Sequence, residues 1–428
     1  LEINMANTFV ENAVKAIRDK NTLYTTLYSY KEGNPPLRFS TERLDRAFGR
    51  SFVYFAQSFG SVIISAILDR LVLKGFNSTD NTANNLLDEL FSKLNINLEA
   101  QDIHESLQVT GEAFVIVDIV DGEPEIYFND PRLVEVFYDP DRPKVKLYAA
   151  KKWTGLDNKV YMNLYFPDRT EKYVSDTGYS PKSYNLIEEV PNTFGIIPVF
   201  HFRNSRRKIQ GEFDAGTVSI IDAINKLFGD LMVAAEFEAF KMRVFISKAD
   251  PGDVEIGPDM KMWLPANEES VGQDSTIIEL GGSSLQNFLD PINNLITNLA
   301  ITTRTPRTLF MNSGSNLSGE ALIVEESGLV KKVEAKQEAY AVTWQELAAY
   351  LLRILNYVVE PSEINCVWAK PYTALPLTDS IVLQNNVNAG IPLLTALKWQ
   401  GKDEQELDQI TTANVETGAT PDERLQQL

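Results

Sequence analysis

The chain has 428 residues, 40 Lys and Arg against 59 Asp and Glu, and a formal net charge of −19. A hydrophobic fraction of 44% with 23% charged residues excludes wholesale disorder, and the length suits two or three domains. A single cysteine (Cys366) excludes an internal disulfide framework, two histidines (His104 and His201) leave little for a metal centre, and the acidic balance argues against adhesion to DNA.

In chain order, residues 4–30 read as a helix with Phe9, Val10, Ala13, Val14 and Ile17 on one side, broken at Asn34-Pro35-Pro36. The first residues lack the basic start and apolar run of a secretory signal. Ser40 or Thr41 is placed to cap a second helix reaching about Leu73. That helix contains the uncharged stretch Ser51 to Leu68, which is interrupted by Gln57, Ser58, Ser61 and Ser65 and reads as a core helix, not a membrane span. A third helix is expected over residues 86–107, with Leu87, Leu90, Phe91 and Leu94 on its apolar face.

The period then changes. Residues 112–203 read as a β-rich insertion. It opens with a hairpin around Asp121-Gly122 and continues with strands near 133–139, 145–153, 159–166 and 170–174, ending at Ile196 to Phe202. Ile220, Ile224, Leu227, Leu231 and Ala235 then mark a buried helical stripe. Short strands follow in 243–284, and a further helix is expected from Asp290-Pro291, as N-cap and first helical residue, to about Thr303. A polar loop, Arg307 to Ser318, leads into the longest helical pattern, 319–359, whose buried side carries Leu329, Val333, Tyr340, Trp344, Leu347, Leu351, Ile354 and Leu355. Two short helices and a mobile tail close the chain.

Catalytic patterns are absent. Gly401-Lys402 is not a phosphate loop, His104-Glu105 is not followed by a second zinc-binding histidine, and Gly314 to Gly319 has the wrong spacing for a nucleophile elbow. Asp118, Asp121 and Gly122 fit a hairpin turn better than a calcium loop. His104 reads as a surface or hydrogen-bonded residue, His201 as packed at a strand end, and Cys366 as a small buried apolar group. Carboxylates are plentiful, so a paired-carboxylate hydrolase stays open as a reading from another class. The basic run Arg203, Arg206, Arg207 and Lys208 reads either as a solvated turn or as a partner or phosphate contact.

Four stretches together resemble the portal proteins, or head–tail connectors, of tailed double-stranded DNA bacteriophages. They are LDRLVLKGF (68–76), TGEAFVIVDIVDGEPEIYFNDP (110–131), IPVFHFRN (197–204) with Ile221 to Lys226, and SGEALIVEESGLVKKVEAKQEAYAVTW (318–344). Gly211-Glu212-Phe213-Asp214 departs from the Gly-x-Ser-Glu type of sequence common in relatives. The resemblance implies an α+β, portal-like fold, mainly helical, that assembles as a cyclic ring of usually twelve subunits. It implies a wing (1–215), a first stem helix (216–241), a clip (242–285), a second stem helix (286–304), a tunnel loop (305–318), a wing-to-crown helix (319–359) and a crown with a mobile end (360–428).

The same resemblance implies a virion protein at one capsid vertex, assembled in the bacterial host cytoplasm. Double-stranded DNA would pass through its channel without sequence specificity. Implied partners are the terminase large subunit, head-completion or adaptor proteins, and the major capsid and scaffolding proteins, with no membrane, no cofactor and no enzymatic role. A head-completion adaptor ring is the alternative. Met311, Asn312, Ser313, Ser315 and Asn316 would face DNA in the tunnel loop. Arg304, Arg307, Arg203, Arg206 and Arg207 are candidates for subunit or phosphate contacts. Residues 243–290 hold 9 acidic against 3 basic side chains. Of these, Asp253, Glu255, Asp259, Glu268 and Glu269 are the candidate acids that would line the channel and repel phosphate.

Overall fold

The computed structural model describes residues 2–36, 57–176, 183–239, 243–247, 261–265, 275–279, 285–311, 319–372 and 376–399, with 407 and 410. Its backbone contacts divide the chain into two units, 1–371 and 372–428. The first helix (α1, Glu2–Lys31) buries Val10 and Ala13 against the strand residues Tyr148, Met162 and Leu164, and Ile17 is buried as well. Its stripe is the one the sequence spacing marks out.

The second helix is shorter at its C-terminal end than the sequence suggests. It is described over Phe59–Leu68 (α2), and Ser40 and Thr41 lie outside the described residues. Leu73–Ser78 is a strand (β1) instead of a helical end. It pairs antiparallel with Ile364–Trp368, a strand that has no counterpart in the sequence reading. The expected third helix is two helices, Asn81–Lys93 (α3) and Ile96–Val109 (α4), broken at Asn95 with φ 50°. Asn tolerates the left-handed region because its short polar side chain bonds locally, so an apolar period can continue across the break. Asp80 caps α3 by accepting from the Thr82 and Ala83 amides.

The β-rich insertion forms two sheets. Glu112–Val120 (β2) lies between Glu123–Asn129 (β3) and Val199–Arg203 (β9). The β2–β3 turn holds Asp121 and Gly122 at φ 52° and 85°, the conformation a type I′ hairpin requires. The second sheet runs in chain order through Val134–Tyr138 (β4), Lys146–Thr154 (β5), Val160–Tyr165 (β6), Arg169–Ser175 (β7) and Tyr184–Pro191 (β8). Strand β8 escapes sequence reading because its alternation is weak and nearly all its residues are exposed.

Ala215–Ala239 (α5) and Gln286–Thr303 (α6) pack through Val218, Ile221 and Ile224 against Ile292, Ile296 and Leu299. Helix α6 begins four residues before Asp290, so Asp290 is not its cap and Pro291 lies inside the helix. Between the two helices, Arg243–Ser247 (β10) pairs parallel with Lys261–Pro265 (β11) and antiparallel with Ser275–Glu279 (β12).

The long helix (α7, Gly319–Ile354) is about 54 Å at 1.5 Å per residue. It ends five residues before the expected Val359, where Asn356 turns the chain at φ 60°. Leu329, Val333, Tyr340, Trp344, Leu347 and Leu351 on α7 are fully buried in the largest apolar cluster, together with Phe200, Phe202 and Ile103. Ile364–Trp368 (β13) joins β1, so this part of the stretch assigned to a crown belongs to the 1–371 unit. The unit 372–428 shows the helices Pro376–Asn388 (α8) and Leu393–Trp399 (α9).

Candidate functional site

The segment that leads into α7 is held at both ends. At its start, Arg304 closes α6 in the left-handed region at φ 54°, and Thr305 N–H donates to Ala300 O at 3.0 Å. Pro306 and a short 3-10 turn, Arg307–Leu309, follow. The amides of Arg307 and Thr308 both donate to Glu325 Oε1, at 2.8 and 3.4 Å, which ties this end to the first turns of α7. Phe310 packs on Phe59 with ring centroids 5.8 Å apart, and Met311 is half-buried against the α5–α6 cluster.

At its exit, α7 is fixed by charge. Arg70 and Glu326 pair at 3.1 Å. Lys332 donates to Thr303 O at 2.7 Å and pairs with Glu212, and Lys336 pairs with Glu212 at 2.9 Å. Burial pushes the Glu212 carboxyl upward, but the two ammonium groups outweigh it and hold it below the usual carboxylate range. Glu212 belongs to the Gly211-Glu212-Phe213-Asp214 stretch that departs from the family pattern. Its carboxylate therefore has a definite job, pairing with two largely buried lysines at once. Asp214 caps α5 by accepting from Thr217 N–H at 2.7 Å.

A second buried polar network joins α1 to both sheets. Glu112 Oε1 accepts from Lys20 Nζ and Tyr24 Oη, each at 2.9 Å, and Lys20 also pairs with Glu135 at 2.7 Å. His201 Nε2 lies 2.9 Å from Glu112 Oε2, and its Nδ1 lies 3.2 Å from Tyr138 Oη. Burial drives His201 down to about 4, so the neutral ring donates from Nε2 and accepts from Tyr138. His104 is also buried and is pushed down to about 3, with Nδ1 donating to Leu71 O and Nε2 accepting from Trp344. Neither histidine reaches a candidate nucleophile, and Cys366 is pushed up to about 12 by burial.

The candidate site residues are placed unevenly. Met311 packs inward more than outward. Arg304 and Arg307 are exposed, and neither has an ion-pair partner among the described residues. Arg307 Nε lies 3.3 Å from Met311 Sδ. Asn312, Ser313, Ser315 and Asn316 lie outside the described residues, as do Asp253, Glu255, Asp259, Glu268 and Glu269. Arg203 and Arg206 line a cavity with Lys144 and Lys146, whereas Arg207 is exposed and not part of that lining. Sequence reading overlooks the two lysines. The available signal was the pair Lys144 and Lys146, which lie in the turn before β5 and at its first residue. Among the described residues no group of three or more His, Cys, Asp or Glu could hold a metal ion, and no helix is long and apolar enough to cross a membrane.

The residues that give the sequence its resemblance sit in these networks. Arg70, Glu112, His201, Asn204, Asp222 and Glu326 each take a buried or half-buried polar contact. The family model described as phage portal protein, SPP1 Gp6-like, matches residues 73–416. The chain belongs to this family. Its function is that of a phage portal protein. Among curated relatives, the portal protein of Mycobacterium phage D29 is 22% identical, with 96% of this chain and 88% of the relative covered. The portal protein of Mycobacterium phage L5 is 23% identical, with 72% of this chain and 68% of the relative covered. Among solved structures, the neck of a native gene transfer agent particle, computed with C12 symmetry, matches at a TM-score of 0.48 and 10% identity, covering 90% of this chain and 94% of that one.

Proposed function

We propose that this portal protein is the protomer of a cyclic ring that conducts double-stranded DNA. The reading is supported above all by the family match over residues 73–416. In this ring the pair α5 and α6 forms the stem, β10–β12 the clip, and residues 305–318 the tunnel loop facing DNA. The terminase large subunit drives DNA inward, adaptor proteins close the vertex, and capsid and scaffolding proteins surround it in the virion. The ring is structural and catalyses no reaction.

Head-to-tail closure needs two different faces on each subunit. The clip offers one such surface. Strands β11 and β12 each have one partner among the described residues, so each leaves an edge for a neighbouring copy to extend. Arg304 and Arg307, which have no ion-pair partner among the described residues, serve the same neighbour contact. Twelve copies of −19 carry about −228 in total, and the acid-rich 243–290 segment turned toward the channel would keep phosphate sliding.

The experiment introduces Asn312→Asp or Ser315→Asp. Rings should assemble with the mass of about twelve 48.1 kDa chains, while DNA packaging or retention falls. Wild-type packaging by both variants would overturn the tunnel-loop assignment. A chain that stays monomeric under every assembly condition would overturn the ring.

A further inference from the structure

We propose that the cavity between strands β4, β5 and β9 and helix α7 binds a phosphomonoester-class oxyanion. This inference stands apart from the portal reading and rests on the cavity alone. The cavity measures about 380 Å³ and is lined by Lys144, Lys146, Arg203, Arg206, Tyr138 and Glu346. Four cations thus face one carboxylate in a chain that is otherwise acidic. None of the four has an ion-pair partner among the described residues.

Two of the cations, Arg203 and Lys146, are positioned by their neighbours, while Lys144 and Arg206 are exposed at the rim. The Arg203 guanidinium lies over the Tyr138 ring, 4.5 Å from its centroid, which orients the planar fork. Lys146 Nζ donates to Val199 O at 2.9 Å and sits 5.0 Å from the centre of the Phe200 ring. An ammonium has three donors, so two remain for a ligand. Ser205 Oγ accepts from Arg207 N–H at 3.2 Å and keeps its own hydrogen, and Thr343 adds a second hydroxyl to the lining. The Tyr138 hydroxyl hydrogen is committed to His201, so the cavity offers mainly charged donors.

Charge balance selects the ligand class. The local excess is three positive charges. A carboxylate supplies one negative charge, whereas a phosphomonoester supplies about 1.5 to 2 and three acceptor oxygens. Burial pulls the Lys146 ammonium below the ordinary lysine range, with Arg203 adding to the fall and Glu346 opposing it. A bound dianion relieves this repulsion. The volume exceeds a bare phosphate and falls in the range of small-molecule sites, with Ala339 and Val342 as the apolar wall for a carrier group.

The test is calorimetric titration of the full chain with inorganic phosphate, AMP, sodium acetate and a DNA duplex with or without its 5′-phosphate at matched ionic strength. Phosphate and AMP should saturate and acetate should not. Arg203→Gln should weaken AMP binding by about tenfold or more, through loss of charge-assisted hydrogen bonds, with circular dichroism unchanged. Glu346→Gln should tighten it. Arg206→Gln, at an exposed side chain, repeats the test if Arg203→Gln loses its fold. A duplex that competes with AMP only when 5′-phosphorylated identifies a polynucleotide end as the source, one that does not compete identifies a free phosphomonoester, and one that competes equally without its 5′-phosphate overturns the monoester class. Equal response to acetate and phosphate, no saturation, or unchanged affinity in folded Arg203→Gln and Arg206→Gln would each overturn the proposal.

Discussion

Lowering the pH from about 7 to about 5 should destabilise this protein through its two histidines. Both are buried and neutral, with folded values of about 4 for His201 and about 3 for His104 against an ordinary 6.5. The folded values are depressed, so the unfolded chain takes up protons first as pH falls. The stabilisation is therefore complete above about 6.5 and is lost on the way down to the folded values. At about pH 5, proton linkage gives about 2 kcal/mol per histidine, or about 4 kcal/mol for the pair. No other histidine exists to share the window. Burial raises Glu135 and Asp102, which opposes the loss, and comparison with variants subtracts that contribution. Urea unfolding followed by tryptophan fluorescence at the two pH values measures the difference. His104→Gln and His201→Gln should each remove about half of the pH-dependent part, whatever they cost at neutral pH. An undiminished pH dependence in the folded double variant would refute the reasoning.

Glu212→Gln should cost about 3–5 kcal/mol in urea unfolding, because it strands two buried ammonium groups, and Lys336→Met in the same chain should recover part of that loss. Glu212 and Glu112 should both make the protein acid-labile. Their folded values are depressed, so their contributions are present above the ordinary 4.5 and lost as pH falls, for Glu112 toward about 2. Gly211→Ala should destabilise by about 1–3 kcal/mol, since a Cβ there would lie 2.3 Å from Val109 O, a backbone atom that cannot swing away. Glu325→Ala should leave the core intact but speed hydrogen exchange at the Arg307 and Thr308 amides by about tenfold.

Much of the architecture was legible because burial imposes a period. The buried side of α7 and the strands from β2 to β7 follow from apolar spacing alone. Strand β13 was not legible, because its stability comes from pairing with a strand far away in sequence. The break at Asn95 was hidden because apolar spacing continues across it, and Pro291 misled because it lies inside the helix, five residues past Gln286, and not at its first position. The polar networks were invisible for a different reason. Glu112 and Glu212 look like any surface glutamate until Lys20, Lys332 and Lys336 are brought to them from other elements. The cluster Arg203, Arg206 and Arg207 was noticed from charge, but only the fold separates the two that enter a cavity from the one that does not.

The pairing of β1 with β13 sets a timetable for synthesis. Phe76 lies opposite Cys366, a sequence separation of 290 residues. At about 5–20 residues per second, the first strand leaves the ribosome roughly 15–60 s before its partner. Trp344, against which Phe76 packs, comes almost as late. The β-rich insertion, whose strands are neighbours in sequence, can close during that interval. The largest apolar cluster can close only in part: Phe91 reaches Phe76 early, but the side that Trp344 and β13 cover stays open until most of the 1–371 unit has emerged. The nascent protein therefore carries a long-lived sticky surface and an open strand edge, and the last part of the body to be made is the part that seals it.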